Sequence, residues 1–248
     1  MYGARLLPRI LRLPRCTNII DYTRPLNVVQ DITFNSNKYS SVAIEDSYVK
    51  KFMNAVGWMD QSRTRLKLTG YFLYESIPEN VAYHDWFEKL DLPDTFASWF
   101  IVTELHVWIL LVRYMAEDVT LITNDKKKYI KGDGHFVRNC VIEALWADVG
   151  NRIKLLEGAN PAVARKQVTE LSEQFQAALV AYDEGLSEDR IMASAVWRRF
   201  YYLDDNARAE NIERIVHFIR HQVSVLDKIP SKDLKWKPVF TWLSISDH

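Results

Sequence analysis

The chain has 248 residues, enough for one sizeable hydrophobic core or two small ones. Apolar residues make up 48% and include eight Trp, twelve Tyr and eleven Phe, which excludes wholesale disorder; the two cysteines, Cys16 and Cys140, exclude a disulfide framework or a four-cysteine zinc site. With 32 basic and 32 acidic residues the chain lacks the cationic excess of a general nucleic-acid binder, and no DNA partner is expected.

The balance fails at the start. Arg5, Arg9, Arg12 and Arg15 lie among leucines and isoleucines with no Asp or Glu before Asp21, the Arg-rich, acid-poor pattern of a mitochondrial presequence. Removing residues 1–25 takes five of the 32 basic and one of the 32 acidic residues, which leaves a net charge of −4. Residues 26–40 are polar, rich in Asn and Ser and without periodicity, and read as a flexible lead-in. Two peripheral helices follow: one over 41–58 through Val42, Tyr48, Phe52 and Val56, one over 63–76 through Leu66, Leu68, Phe72 and Leu73. Pro78 reads as a break, Tyr83, Trp86 and Phe87 mark a short helical piece, and Pro93 stops it.

Residues 94–115 hold the stretch on which the rest depends. At 100° per residue its apolar side chains leave no bare side, which is the pattern of a buried helix, with Asp94 as the expected N-cap. Membrane insertion is the rival, but Glu104, His106 and Arg113 interrupt the apolar run, and isolated charges at that depth are costly. Residues 117–134 read as a polar loop in which Lys126, Lys127, Lys128 and Lys131 form a candidate anchor for the phosphates of lipid headgroups or RNA. A helix over 136–157 has its apolar face at Val137, Val141, Leu145, Val149 and Ile153 and its expected cap at Gly158; Asn160 and Pro161 open the next, which Gly185 ends. Ser187 is the expected N-cap of a helix facing inward through Ile191, Ala195, Val196 and Phe200. The last helix runs from near Asn206 to Pro230, with Trp236 and Trp242 behind it as docking points for the tail. The sum is an all-α, single-domain bundle of about six or seven helices over 41–230, with a tail at 231–248.

Motifs for chemistry are missing. There is no GxSxG, CxxC or GxxxxGK[ST], and no Glu-x-x-His pair for a di-iron site, so neither an activity nor a cofactor is expected. His217 and His221 stand four apart with Glu213 on the same face, an arrangement that reads as surface histidines in a charged stripe. His106 reads as a hydrogen-bonded core histidine, and Glu104 as one half of an ion pair with an arginine from another helix. Asp183 and Glu184 sit at a helix C-terminus, where the dipole disfavours anions; Arg198 or Arg199 is the expected compensation, and a surface for a basic partner is the alternative.

Several of these residues carry a resemblance. Pro93-Asp94-Thr95-Phe96, Ser98-Trp99-Phe100, Leu105-His106-Val107-Trp108 and Leu111-Val112-Arg113 resemble the signature of the ubiquinol–cytochrome c chaperone family. Trp146-Ala147-Asp148-Val149 is similar to an intermediate block of that family, and Tyr182-Asp183-Glu184-Gly185 with Ala195-Val196-Trp197-Arg198-Arg199-Phe200 to its second signature. The resemblance implies a non-enzymatic mitochondrial factor that assists newly made cytochrome b at the matrix side of the inner membrane. It also implies a small helical co-assembly factor as partner and, in fungi, contact with the mitochondrial ribosome. Such a chaperone needs an apolar groove with a polar rim, and Trp58, Tyr71, Phe72 and Trp86 are the candidates for it. The competing class is a carrier or enzyme that holds a prenyl or quinone-like ligand in a cavity lined by Trp99, Trp108 and Trp146.

Overall fold

A helix that is apolar on every side has to be enclosed, and the architecture is the way in which six other helices enclose it. The computed structural model describes residues 61–116, 120–123, 126–129, 133–156, 161–230, 233–234 and 240–247. The presequence and lead-in expected over 1–40, the helix expected over 41–58, and Cys16, Trp58, Lys131, Gly158 and Trp236 lie outside these residues.

Among the described residues there are seven α-helices: α1 (Gln61–Asn80), α2 (Tyr83–Lys89), α3 (Phe96–Met115), α4 (Asp133–Leu156), α5 (Pro161–Gly185), α6 (Asp189–Phe200) and α7 (Ala209–Asp227). Every residue of α3 except Val112 and Met115 is buried, and α3 packs against all six of the others. It is long and apolar enough to cross a membrane, yet here its sides are covered by protein. Its N-cap is Thr95, one residue after the expected Asp94: Thr95 is extended, and its Oγ1 accepts the Ser98 N–H at 3.2 Å.

The helix expected over 63–76 runs longer and is not peripheral. It continues through Pro78 to Asn80, because a proline in the last turn removes only one hydrogen bond near an end that is already short of partners. Leu66, Leu73, Tyr74 and Ile77 point into the core, and α1 lies along α4. Gly70 permits that approach: a Cβ there would fall 2.5 Å from the Cβ of Cys140 and 3.0 Å from the Val137 carbonyl oxygen.

Two further caps differ from expectation. Glu188, not Ser187, precedes α6, since the Ser187 hydroxyl is used to close the preceding turn by donating to the Glu184 carbonyl at 2.9 Å. α7 starts at Ala209 rather than near Asn206, whose N–H and side-chain amide both donate to Asp204 Oδ1 and hold it in the connecting loop. Part of the stretch read as a polar loop is a two-stranded antiparallel hairpin, β1 (Thr120–Thr123) with β2 (Lys126–Tyr129), in the register Thr120 to Tyr129. Strands of four residues are too short to show as alternation in a sequence. Lys126, Lys127 and Lys128 are on β2. In the tail Trp242 docks: it is buried and its Nε1 donates to Ser76 Oγ at 3.1 Å.

Replacing Gly70 by alanine forces α1 and α4 apart at a contact between rigid backbone-proximal atoms. The expected loss is roughly 1–3 kcal/mol, read as a lower urea midpoint with an unchanged far-UV spectrum.

Candidate functional site

The family-like residues on α3 point in three directions, and each meets its own set of partners. Glu104 and Trp108, four residues apart, share the face toward α5 and α6. Glu104 is fully buried and is held by Arg199 of α6 through two parallel bonds of 2.8 Å, Nε to Oε1 and Nη2 to Oε2; the remaining Nη1 donates to Gln174 Oε1 at 3.1 Å. This is the interhelical arginine that the sequence called for. Burial pushes the Glu104 carboxyl up and the adjacent guanidinium opposes it, whereas Arg199 is held in its charged form by Glu104 despite its own burial.

Trp108 donates its indole N–H to Asp183 Oδ1 at 2.9 Å and packs on Tyr182, 5.2 Å between ring centres. Burial raises the Asp183 carboxyl, and the indole hydrogen bond acts against that. The expected pairing of Asp183 with Arg198 or Arg199 is therefore corrected. Arg199 is committed to Glu104, and Arg198 bonds back to the Ser194 carbonyl of its own helix. The C-terminus of α5 is instead neutralised by Arg220 of α7, whose Nη2 and Nη1 donate to the carbonyls of Gly185 (2.8 Å) and Leu186 (3.0 Å) and whose Nε meets Asp189 (2.8 Å). Gly185 is needed for space, because a Cβ on it would lie 2.7 Å from the Met192 Cα at the start of α6.

On a second side of α3, His106 is fully buried in an aromatic box made by Trp86, Phe218 and Trp242, with ring centres at 5.2, 5.4 and 4.8 Å. Its Nδ1 donates to the Val102 carbonyl at 2.7 Å, and Nε2 has no hydrogen bond among the described residues. Burial lowers the ring pKa from 6.5 to about 4, so the imidazole is neutral. About two turns further on, Arg113 ties the end of α7 to α3 by donating to the carbonyls of Leu226 (3.1 Å) and Ile229 (2.9 Å).

The third side faces α4. There the Arg152 guanidinium lies 4.3 Å from the Trp99 ring centre and its Nε bonds both oxygens of Asp148, which also accepts the Tyr74 hydroxyl at 2.7 Å. Asp148 and Arg152 stand four apart on one helix, a spacing readable in the sequence that only the fold shows to be a network. Trp146 packs on Phe100 and Phe175, and Trp197 donates to the Asp204 carbonyl at 2.8 Å. Trp99, Trp108 and Trp146 thus do not converge on one ligand space.

The candidates for an apolar groove are not gathered either. Trp86 was expected on the surface and is 1% exposed, since its short helix turns Tyr83, Trp86 and Phe87 inward together. Phe72 is 45% exposed, Tyr71 is half-buried under Lys67, and Glu184 and Arg198 are exposed. His217 and His221 are exposed on α7, and the described residues hold no cluster of three or more potential metal ligands. The arrangement fixes helices: Glu104 with Arg199, Trp108 with Asp183, and Arg113 with the end of α7 each set how one neighbour lies on α3.

A profile described as ubiquinol-cytochrome C chaperone matches residues 88–242, which contain the Glu104–Arg199 pair, the Trp108–Asp183 bond and His106 with the Phe218 and Trp242 walls of its box. The chain belongs to the ubiquinol-cytochrome c chaperone family. It is 42% identical over 241 residues to the ubiquinol-cytochrome c reductase complex assembly factor 1 of Drosophila melanogaster, covering 97% of this chain and 85% of that one. The Homo sapiens protein of the same name is 30% identical over 197 residues, 75% of this chain and 60% of its own length. Protein CBP3, mitochondrial, of Saccharomyces cerevisiae is 28% identical over 162 residues, 64% of this chain and 45% of its own. The crystal structure of the Cbp3 homolog from Brucella abortus has the same fold, with a TM-score of 0.56 at 14% identity over 75% of this chain and 93% of that one.

Removing one member of the Glu104–Arg199 pair strands a buried charge. Glu104→Leu or Arg199→Leu alone is expected to cost roughly 3–5 kcal/mol, and the double variant clearly less than the two together, measured as a double-mutant cycle by urea unfolding. For His106 the unfolded ring takes up its proton below pH 6.5 and the folded ring only near 4. Its contribution is therefore complete above pH 6.5 and lost on acidification between those values, about 3 kcal/mol in all. His106→Phe should flatten that part of the stability–pH curve, read from unfolding midpoints at pH 7 and pH 4.5.

Proposed function

We propose that this chain is an assembly factor for the mitochondrial cytochrome bc1 complex, acting by protein–protein contact on newly made cytochrome b at the matrix side of the inner membrane, with a small helical co-assembly factor as partner. The observation that carries the reading is the family match over residues 88–242, together with relatives that bear the name of ubiquinol-cytochrome c reductase complex assembly factors. The Arg-rich, acid-free start supports a mitochondrial site of action, in keeping with the mitochondrial yeast relative. The paired, sealed polar groups of the bundle support a role without catalysis, since a general base or nucleophile must be within reach of a substrate. Phe72 and the half-buried Tyr71 remain candidates for client contact, and Lys126 to Lys128 with Lys131 for contact with the ribosome or anionic lipid.

The test is depletion of the protein followed by pulse-labelling of mitochondrial translation. Loss of labelled cytochrome b or of mature bc1 complex, with other mitochondrially made proteins unchanged, is the expected result. Normal bc1 assembly in depleted mitochondria would sink the reading.

A further inference from the structure

The loop between α6 and α7 pairs two features that generic stability does not explain. Tyr202 and Leu203 both hold positive φ, 51° and 65°, a region that large L-residues avoid and that glycine or asparagine would occupy without strain. Tyr202 is 41% and Leu203 39% exposed, the ring of Tyr202 showing its side to solvent while its hydroxyl end is buried near Arg199 and Glu104. The surroundings fix this conformation. Tyr201 N–H and Leu203 N–H both bond the Trp197 carbonyl, the Trp197 indole bonds the Asp204 carbonyl, and the Tyr201 hydroxyl reaches the Leu90 carbonyl of the neighbouring α2 connection at 3.0 Å. A rigid frame thus presents an apolar pair to the outside.

The rim of the pair is acidic. Asp204 and Asp205 follow it directly and Glu210 lies in the first turn of α7, all three exposed, with Glu213 one turn on. Arg208, within the same segment, is engaged with Asp91 at 3.4 Å, Arg199 is taken up by Glu104, and the exposed Arg198 bonds back to the Ser194 carbonyl of its own helix. Residues 202–213 hold Asp204, Asp205, Glu210 and Glu213 against Arg208 alone, a net charge of −3 in a chain whose charges balance overall, which favours a cationic over an anionic partner.

We propose that Tyr202 and Leu203, rimmed by Asp204, Asp205 and Glu210, form a docking surface for a basic, amphipathic segment of a protein partner. An apolar side chain of that segment sits on the Tyr202–Leu203 pair and its Lys or Arg residues meet the acidic rim, which selects for the partner by charge as well as by shape. The surface rests on the assembly-factor reading only in taking the partner to be a protein.

The test places a photo-crosslinking amino acid at position 203 of the full-length tagged chain in mitochondria and maps the crosslinked peptide. The expected product is a protein segment of net positive charge with an apolar residue at the crosslink. It should fall about tenfold in the Asp205→Lys, Glu210→Lys double variant and persist in Phe72→Ser, whose exposed ring lies on α1. Leu203→Gly should lower partner co-purification while its melting temperature stays equal or rises, because glycine relieves the strain. A crosslink unaffected by the charge reversal, or one made to lipid, to a second copy or to an acidic segment, would overturn the proposal. So would a Leu203→Gly variant that binds as the parent does. A charge-dependent crosslink alongside normal bc1 assembly in depleted cells would overturn the assembly reading and leave this surface standing.

Discussion

The enclosure of α3 is the constraint from which the rest follows. A helix with eighteen buried positions cannot be left half covered in water, so six helices must converge on it, and the residues that fix their placing have to act from inside the core. Glu104 is the clearest case. A carboxylate at zero exposure is strongly unfavourable alone, and the bidentate Arg199 fork removes that penalty only when α6 sits at one distance and one rotation from α3. The same logic applies to Trp108 reaching Asp183 on α5, and to Arg113 reaching the last carbonyls of α7. Polar groups that need one partner each specify the packing that apolar contacts alone would leave degenerate.

This changes what the family-like residues mean. Those of α3 gather in the interior, where Glu104, Trp108 and Arg113 tie it to α6, α5 and α7 in turn, while Glu184 and Arg198 of the second signature are exposed. We therefore place partner recognition on the outside of the frame, in elements that connect the helices. The α5–α6 turn illustrates how the two layers join. Tyr182 and Asp183 face inward, Gly185 makes room for α6, Arg220 neutralises the carbonyls, and Glu184 remains on the surface.

Much of the frame was legible because helical periodicity and the all-round apolar run are local signals. The α3 span, the α5 opening at Pro161, the inward face of α6 and the need of Glu104 for a distant arginine could all be read from residue types and spacing. What escaped were choices decided by tertiary contact. Trp86 looked like a surface aromatic on a short helix and is a wall of the His106 box, because burial depends on which way α2 faces. Asp183 looked like the partner of a nearby arginine, but the indole of Trp108, seventy-five positions away in the chain, takes it. Caps moved by one residue where a hydroxyl had a competing use, as Ser187 did. The Tyr202–Leu203 loop gave no signal at all: positive φ at two large residues contradicts local preference and arises only from the bonds that hold them.

Transient capture of the client is the most direct measurement. Newly synthesised cytochrome b is pulse-labelled, the tagged protein is isolated at successive chase times, and the mature bc1 complex is isolated in parallel. An assembly factor is expected to carry labelled cytochrome b early, to lose it as the complex matures, and to be missing from the finished complex. Stoichiometric retention in mature bc1 complex, or no labelled cytochrome b at any chase time, would contradict the role.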